Sequence, residues 1–145
     1  MHPSFVILLL ATLLTGASQA AAPSRFELRL AEYQPAAGLT EVTLESGSKI
    51  YFGRTLVTND DVVQARVRQQ GNEYSIAIEF GFWTGVQMLL ATWNHVGRPI
   101  AILVNGQVMS APALNSRLFN AINIDGGFSR EEAESLVREL NTNWK

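Results

Sequence analysis

No cysteine occurs in the 145-residue chain, which excludes disulfides, thiolate metal sites and cysteine nucleophiles. Histidine is nearly absent as well, with His2 and His95 the two occurrences. Charged residues make up only 17%, and 11 Lys+Arg against 13 Asp+Glu leave a formal net charge of −2. The chain therefore has no basic field with which to gather nucleic acid. No apolar run reaches the roughly twenty residues that a membrane-spanning helix takes. Apolar residues, by contrast, are plentiful at 47%, which excludes intrinsic disorder as the main state. The length suits one domain around one core.

The longest apolar run, Phe5 to Leu14, is followed by Thr15, Gly16 and then Ala17-Ser18-Gln19-Ala20-Ala21. Small residues at Ser18 and Ala20 match the pattern read by signal peptidase, so residues 1–20 are expected to be a signal peptide cleaved after Ala20. The n-region carries no Lys or Arg, and the alternative is an uncleaved short anchor or a buried amino-terminal helix. No cysteine follows the run for lipid attachment. Residues 21–145 are then expected to form a periplasmic or secreted domain without stable membrane insertion.

Alternation of apolar and charged residues in Phe26 to Leu30 predicts a strand with one covered face. Gln34 to Gly38 reads as a loop, and Ser46-Gly47-Ser48 joins Val42–Glu45 to Lys49–Phe52 in a small hairpin. Thr58 is placed to cap a short helical turn through Asp60 and Asp61. Gly71-Asn72 supplies the angles of a two-residue hairpin turn. Pairing outward sets Gln70 opposite Glu73, Val67 opposite Ile76 and Ala65 opposite Ile78. That register puts Ala65, Val67, Tyr74, Ile76, Ile78 and Phe80 on one face, with Arg66, Arg68, Ser75, Ala77 and Glu79 on the other.

Thr84 is a candidate cap for a helix from about Gly85 to Val96, with Val86, Leu89, Leu90, Trp93 and Val96 as its core-facing stripe. Gly97 and Pro99 would stop it, leaving His95 in its last turn. Ile100 to Val104 is continuously apolar and predicts a central strand covered on both faces. Asn105-Gly106 then turns the chain back through Gln107 to Ala111, Leu103 meeting Val108 and Ile102 meeting Met109. Leu118 to Ile124 suggests a last strand, and Asp125-Gly126-Gly127 a turn. Ser129 and Glu132 form a capping box for a helix with Ala133, Leu136, Val137 and Leu140 on its packed side. Six or seven strands and two main helices predict an α+β fold, largely antiparallel sheet with the helices packed on one face.

No catalytic constellation emerges. There is no G-x-S-x-G elbow, no H-E-x-x-H, no Walker loop and no dinucleotide fingerprint, so neither a metal nor a cofactor is expected. His95 is the sole imidazole base candidate of the mature chain, and a small hydrolase built on it is the remote alternative. Backbone binding suits a sequence without motifs, because the edge of an antiparallel sheet accepts an extended peptide as a further strand. Phe82 and Trp83, which with Phe80 precede the first main helix, are candidates to grip apolar segments of a client; completing the core, with Trp144, is the competing role. Arg66 and Arg68 are a candidate recognition patch against the simpler reading of a solvated sheet face.

From Phe26 to about Leu140 the chain resembles the head subdomain of the first periplasmic domain of SecD and fused SecDF, accessory subunits of the Sec export channel. The resemblance is carried by Val96-Gly-Arg-Pro-Ile-Ala-Ile-Leu-Val-Asn-Gly-Gln-Val-Met-Ser-Ala-Pro112, by Ile124-Asp-Gly-Gly-Phe-Ser-Arg-Glu-Glu-Ala133, by Thr58 to Ala65 and by Tyr74 to Phe80. Its matched residues Gly97, Arg98, Pro99, Asn105, Gly106, Gly126 and Gly127 are mostly turn formers and speak for the fold. The resemblance implies an α+β head that touches polypeptide emerging from the channel. The family's base subdomain, with its Asp-Leu-Arg-Gly-Gly-type segment, and its proton-carrying membrane helices have no counterpart here, so the motor does not carry over. The expected function is non-catalytic binding of unfolded or extended exported polypeptides, with Sec translocon components as further partners. The alternative is a dedicated interaction domain for one folded envelope protein.

Overall fold

The computed structural model describes residues 26–142, so the expected signal peptide and Trp144 lie outside the described residues. Eight strands and two helices follow in the order β1 (Phe26–Glu32), β2 (Thr40–Thr43), β3 (Lys49–Thr58), β4 (Val62–Gln70), β5 (Glu73–Phe80), α1 (Phe82–Ala91), β6 (Ile100–Val104), β7 (Gln107–Ser110), β8 (Ala121–Phe128) and α2 (Arg130–Thr142). Every pairing is antiparallel. The α+β class with two main helices is as expected, and the strands divide between two sheets, β2-β3-β1-β6-β7 and β4-β5-β8.

Both sheets and both helices close on one core. Phe26, Leu28 and Ile102 come from the first sheet, Ile76, Ile78 and Ile124 from the second, Met88 from α1, and Ala133, Leu136 and Leu140 from α2. Alternation along β6 sends Ile100 and Ile102 into this core and Ala101 and Leu103 into a second cluster with Ala31, Ile50 and Phe52. Strand β6 is thus covered on both faces, as its composition demands. It lies between β1 and β7, however, and the middle of the sheet is β1.

Turn chemistry explains the registers. Gly71 takes φ +61, and the β4–β5 pairing sets Gln70 against Glu73, Val67 against Ile76 and Ala65 against Ile78. Asn105 at φ 53 and Gly106 at φ 79 fit a turn needing two positive φ values, and Leu103 meets Val108. Ile102 meets Ser110 and not Met109, because a bulge between Ile102 and Leu103 leaves one residue of β7 without an opposite number. Asp125-Gly126-Gly127 forms no chain reversal. It lies within β8, where the ladder to β5 is irregular between Tyr74 and Ser75 and Gly127 takes φ +67. The flexible backbone is used for a bulge in a strand that continues to Phe128.

Local caps set the remaining boundaries. Thr58 and Asp61 form a capping box around the 3-10 turn Asn59–Asp61. At α2, the Ser129 hydroxyl accepts from the Glu132 N–H at 3.1 Å while the Glu132 carboxylate accepts from the Ser129 N–H at 2.9 Å. Helix α1 differs from expectation. It is capped by Gly81 and starts at Phe82, and Thr84 donates its hydroxyl to Asp61 at 3.3 Å, across to the 3-10 turn. It ends at Ala91, four residues before His95.

Candidate functional site: the aromatic face of α1

None of the ten residues of α1 is charged. Its buried stripe is Gly85 and Met88, continued by Thr92, at spacings of three and four. Thr92, fully buried, satisfies its hydroxyl by donating to the Met88 carbonyl at 2.8 Å and accepting from the Leu118 N–H at 2.9 Å. The stripe expected in the core is only partly there: Val86 and Leu89 are half-buried, whereas Leu90 is 69% exposed, Trp93 48% and Val96 49%. The reason lies in Gly85. A Cβ there would stand 3.0 Å from the Asn120 Cβ and 3.0 Å from the Phe119 ring, so the glycine face is where the 119–120 segment fits against the helix.

Phe80 is buried and completes the core, whereas Phe82 is 63% and Trp83 76% exposed. The Phe82 ring meets Trp83 edge-on at 5.3 Å and Phe119 edge-on at 5.9 Å, the arrangement aromatic quadrupoles favour. The Arg117 guanidinium lies 3.5 Å over the Trp93 ring, and its Nε donates to the Trp93 carbonyl at 3.3 Å. Leu90 falls seven residues after Trp83, hence on the same side of the helix. The outcome is an exposed apolar surface of Phe82, Trp83, Leu90, Trp93 and Phe119, in which Phe82 touches Trp83 and Phe119 while Arg117 holds the Trp93 ring. Leu90, Trp93 and Phe119 were not anticipated here. The signal available was a helix without charge on any side, which has more apolar surface than one core can cover.

Arg66 and Arg68 are placed on the outer face of the second sheet, as the alternation requires. Arg66 pairs with Glu79 at 2.6 Å, and both arginines border a shallow groove shared with Ala121 and Asn123 of β8. His95 lies just beyond α1 and is buried, its Nε2 donating to the Pro99 carbonyl at 2.8 Å and its Nδ1 standing 3.9 Å from the Glu32 carboxylate. Its ring braces a turn and faces no open cleft. Arg98 pairs with Glu32 at 3.1 Å, Gly97 takes φ +85, and Pro99 bridges to Ala113, so this segment links β6 to the 112–114 stretch. Asn105 and Gly106 form the β6–β7 turn, and Gly126 and Gly127 lie within β8. All seven residues of the resemblance motifs thus belong to chain path and not to the aromatic surface.

Shifted titrations belong to exposed pairs away from α1. The hydrogen bond and charge of Lys49 lower the Glu41 carboxyl and raise Lys49 in turn, and Glu134 likewise raises Arg130. Among the described residues no group of three or more His, Asp or Glu is arranged to hold a metal ion, and no helix is long and apolar enough to cross a membrane.

The fold and the exposed helix face define an α+β head domain. The chain belongs to the SecDF P1 head subdomain family, whose model matches residues 36–143. It is similar to the protein translocase subunit SecD of Magnetococcus marinus, 28% identical over 90 residues that cover 61% of this chain and 17% of that protein. The SecD subunit of Rhodobacter capsulatus is 34% identical over 85 residues, 57% of this chain and 15% of that protein. The chain thus spans about a sixth of the length of these relatives. Two solved SecDF structures share its fold at a TM-score of 0.66 and 21% identity over 83% of this chain. One is SecDF in a super-membrane-facing form, of which the match covers 19%; the other is SecDF described as a membrane component that enhances protein export, covered to 63%.

Proposed function

We propose that this head domain, freed of residues 1–20 and working in the periplasm, holds extended segments of exported polypeptides without performing chemistry on them. The observation that carries the reading is the uncharged helix α1 with Phe82, Trp83 and Leu90 turned to solvent. An unfolded chain offers the apolar side chains that a folded one has buried, and a ring-lined surface takes them without needing a fixed sequence. Arg68, on the outer face of the second sheet, adds a cation for acidic side chains of the client, and Arg66 shares that role when released from Glu79. Membership in a family named for the first periplasmic domain of SecDF supports the compartment and a role in export beside the Sec translocon.

The magnitudes suit transient holding. Burying three or four apolar side chains gives about 1.5–3 kcal/mol each. Loss of translational and rotational freedom takes back about 4 kcal/mol or more. At most about 8 kcal/mol remains, which corresponds to affinities of about a micromolar or weaker, so the client is released quickly.

The test is calorimetric titration of the chain with one exported protein, held unfolded in one arm and native in the other. The unfolded form is expected to bind, and a Trp83→Ser/Leu90→Ser double variant to bind it at least tenfold more weakly. Binding of the native form alone would favour the dedicated-partner reading. Equal binding by chain and variant would remove α1 from the site.

A further inference from the structure

We infer that an extended client segment adds as a further strand along the outer edge of β8, bridging two apolar surfaces. This rests on the polypeptide-holding function proposed above and specifies where and how the backbone is gripped. The two sheets have four edges, β2 and β7 in the first and β4 and β8 in the second. Strands β2 and β7 have four residues each, too short for a long ladder. The β4 edge is already occupied. Asn141 of α2 accepts from the Ala65 N–H at 2.9 Å and donates to the Ala65 carbonyl at 2.9 Å, the two bonds a neighbouring strand would make.

That leaves β8, with eight residues and, among the described residues, β5 on one side only. What lies at its two ends singles it out further. Its first residue, Ala121, comes two positions after Phe119, the ring in contact with Phe82 on the α1 face. Its last, Phe128, lines a groove of about 510 Å³ with Val104, Met109 and Leu136, walled by Glu131 and Glu139 of α2. Because Gly126 and Gly127 are taken up by the bulge, Ala121 to Phe128 runs along six positions of β5, Glu79 to Tyr74, about 20 Å at roughly 3.3 Å each. A segment of about twelve residues therefore lies along β8 with its ends over the two apolar places.

The occupant follows from this chemistry. Alternate residues of an edge strand direct N–H and C=O outward at strand spacing, and another extended backbone is the partner that matches both. Apolar side chains near each end of the segment complete the fit, and a basic one beside Glu131 and Glu139 is favoured by charge.

The probe is a synthetic peptide of about twelve alternating Leu and Ser residues, with two analogues N-methylated at alternate positions in opposite phase. Binding is read from Trp83 fluorescence, in a Trp93→Phe/Trp144→Phe background that leaves it the one tryptophan, and from amide hydrogen exchange along β8. One analogue is expected to bind at least tenfold more weakly and the other within threefold of the parent, while β8 amides gain protection. Equal binding by all three peptides, or protection gained at β2, β4 or β7 instead, overturns the inference. Quenching of Trp83 without protection in β8 leaves the holding function standing and removes strand addition. No binding by either readout removes both. Protection of β8 that rises with protein concentration before peptide is added assigns the edge to a second copy of the chain, and also overturns it.

Discussion

Thr92 and Asn141 show how single polar side chains decide what is closed and what is open. Thr92 is fully buried, yet both capacities of its hydroxyl are used, toward Met88 and toward Leu118. Thr92→Val keeps the shape and strips the partner from the Leu118 N–H, a loss expected to cost about 1–3 kcal/mol in urea unfolding. A change below a few tenths would show that the bond is dispensable. Asn141→Ala leaves the N–H and carbonyl of Ala65 without their side-chain partner, again about 1–3 kcal/mol. It also frees the β4 edge, so analytical ultracentrifugation of the variant should detect association that the parent chain lacks. A monomeric variant at high concentration would contradict the guarding role. Neither residue announces its partner in the sequence, since Asn141 and Ala65 stand 76 positions apart.

Among the elements, the hairpins were legible and α1 was not, for physical reasons. Gly71-Asn72 and Asn105-Gly106 carry backbone angles that local chemistry dictates, and from the first of them one register follows from Gln70 back to Gln64, where it shifts before Val62. The second slips by one beyond Leu103 because a bulge is decided by packing across the sheet. The Thr58 cap and the Ser129–Glu132 capping box are likewise confined to four residues and were readable, though not that Asp61 closes the first into a box as well. In α1, periodicity offered the apolar stripe of Val86, Leu89, Leu90, Trp93 and Val96, of which the fold half-buries the first two and exposes the other three, while the buried stripe of Gly85, Met88 and Thr92 reads as weaker. Periodicity cannot choose between two such faces. The close approach of Phe119 and Asn120 to Gly85 chooses, and that contact is long-range. Phe82 and Trp83 were legible as candidates because they stand together before the helix; their neighbours Leu90 and Phe119 became visible only with the fold. Because this face meets solvent, Trp83→Ser/Leu90→Ser should lower unfolding free energy by no more than about 2 kcal/mol, the Phe82–Trp83 contact and the weaker helix propensity of serine included. A larger loss would mean that the face is packed against the remainder of the chain.

For the molecule as a whole, the division into two sheets depends on pairings such as β1 with β6 and β5 with β8 that no local signal encodes. One core nevertheless spans both sheets and both helices. Unfolding should therefore be a single cooperative transition, with far-ultraviolet circular dichroism and the methyl resonances of Ile76 and Ile102 losing native signal at the same denaturant concentration. Separate midpoints for those two methyls would show the sheets to be independent units. The class of fold and its family resemblance were readable, because turn formers such as Gly97, Pro99, Asn105 and Gly106 mark the chain path closely. The surface proposed to bind was less so, because it is made of residues whose role depends on what fails to cover them.

Site-directed photocrosslinking tests the central claim most directly. A photoreactive phenylalanine analogue replaces Leu90 on the aromatic face or, as a control, exposed Glu45 in the loop after β2. Illumination with an unfolded exported protein is expected to give adducts from position 90 and few from position 45. Equal yields from the two positions, or adducts from position 90 only with the native form, would contradict the account.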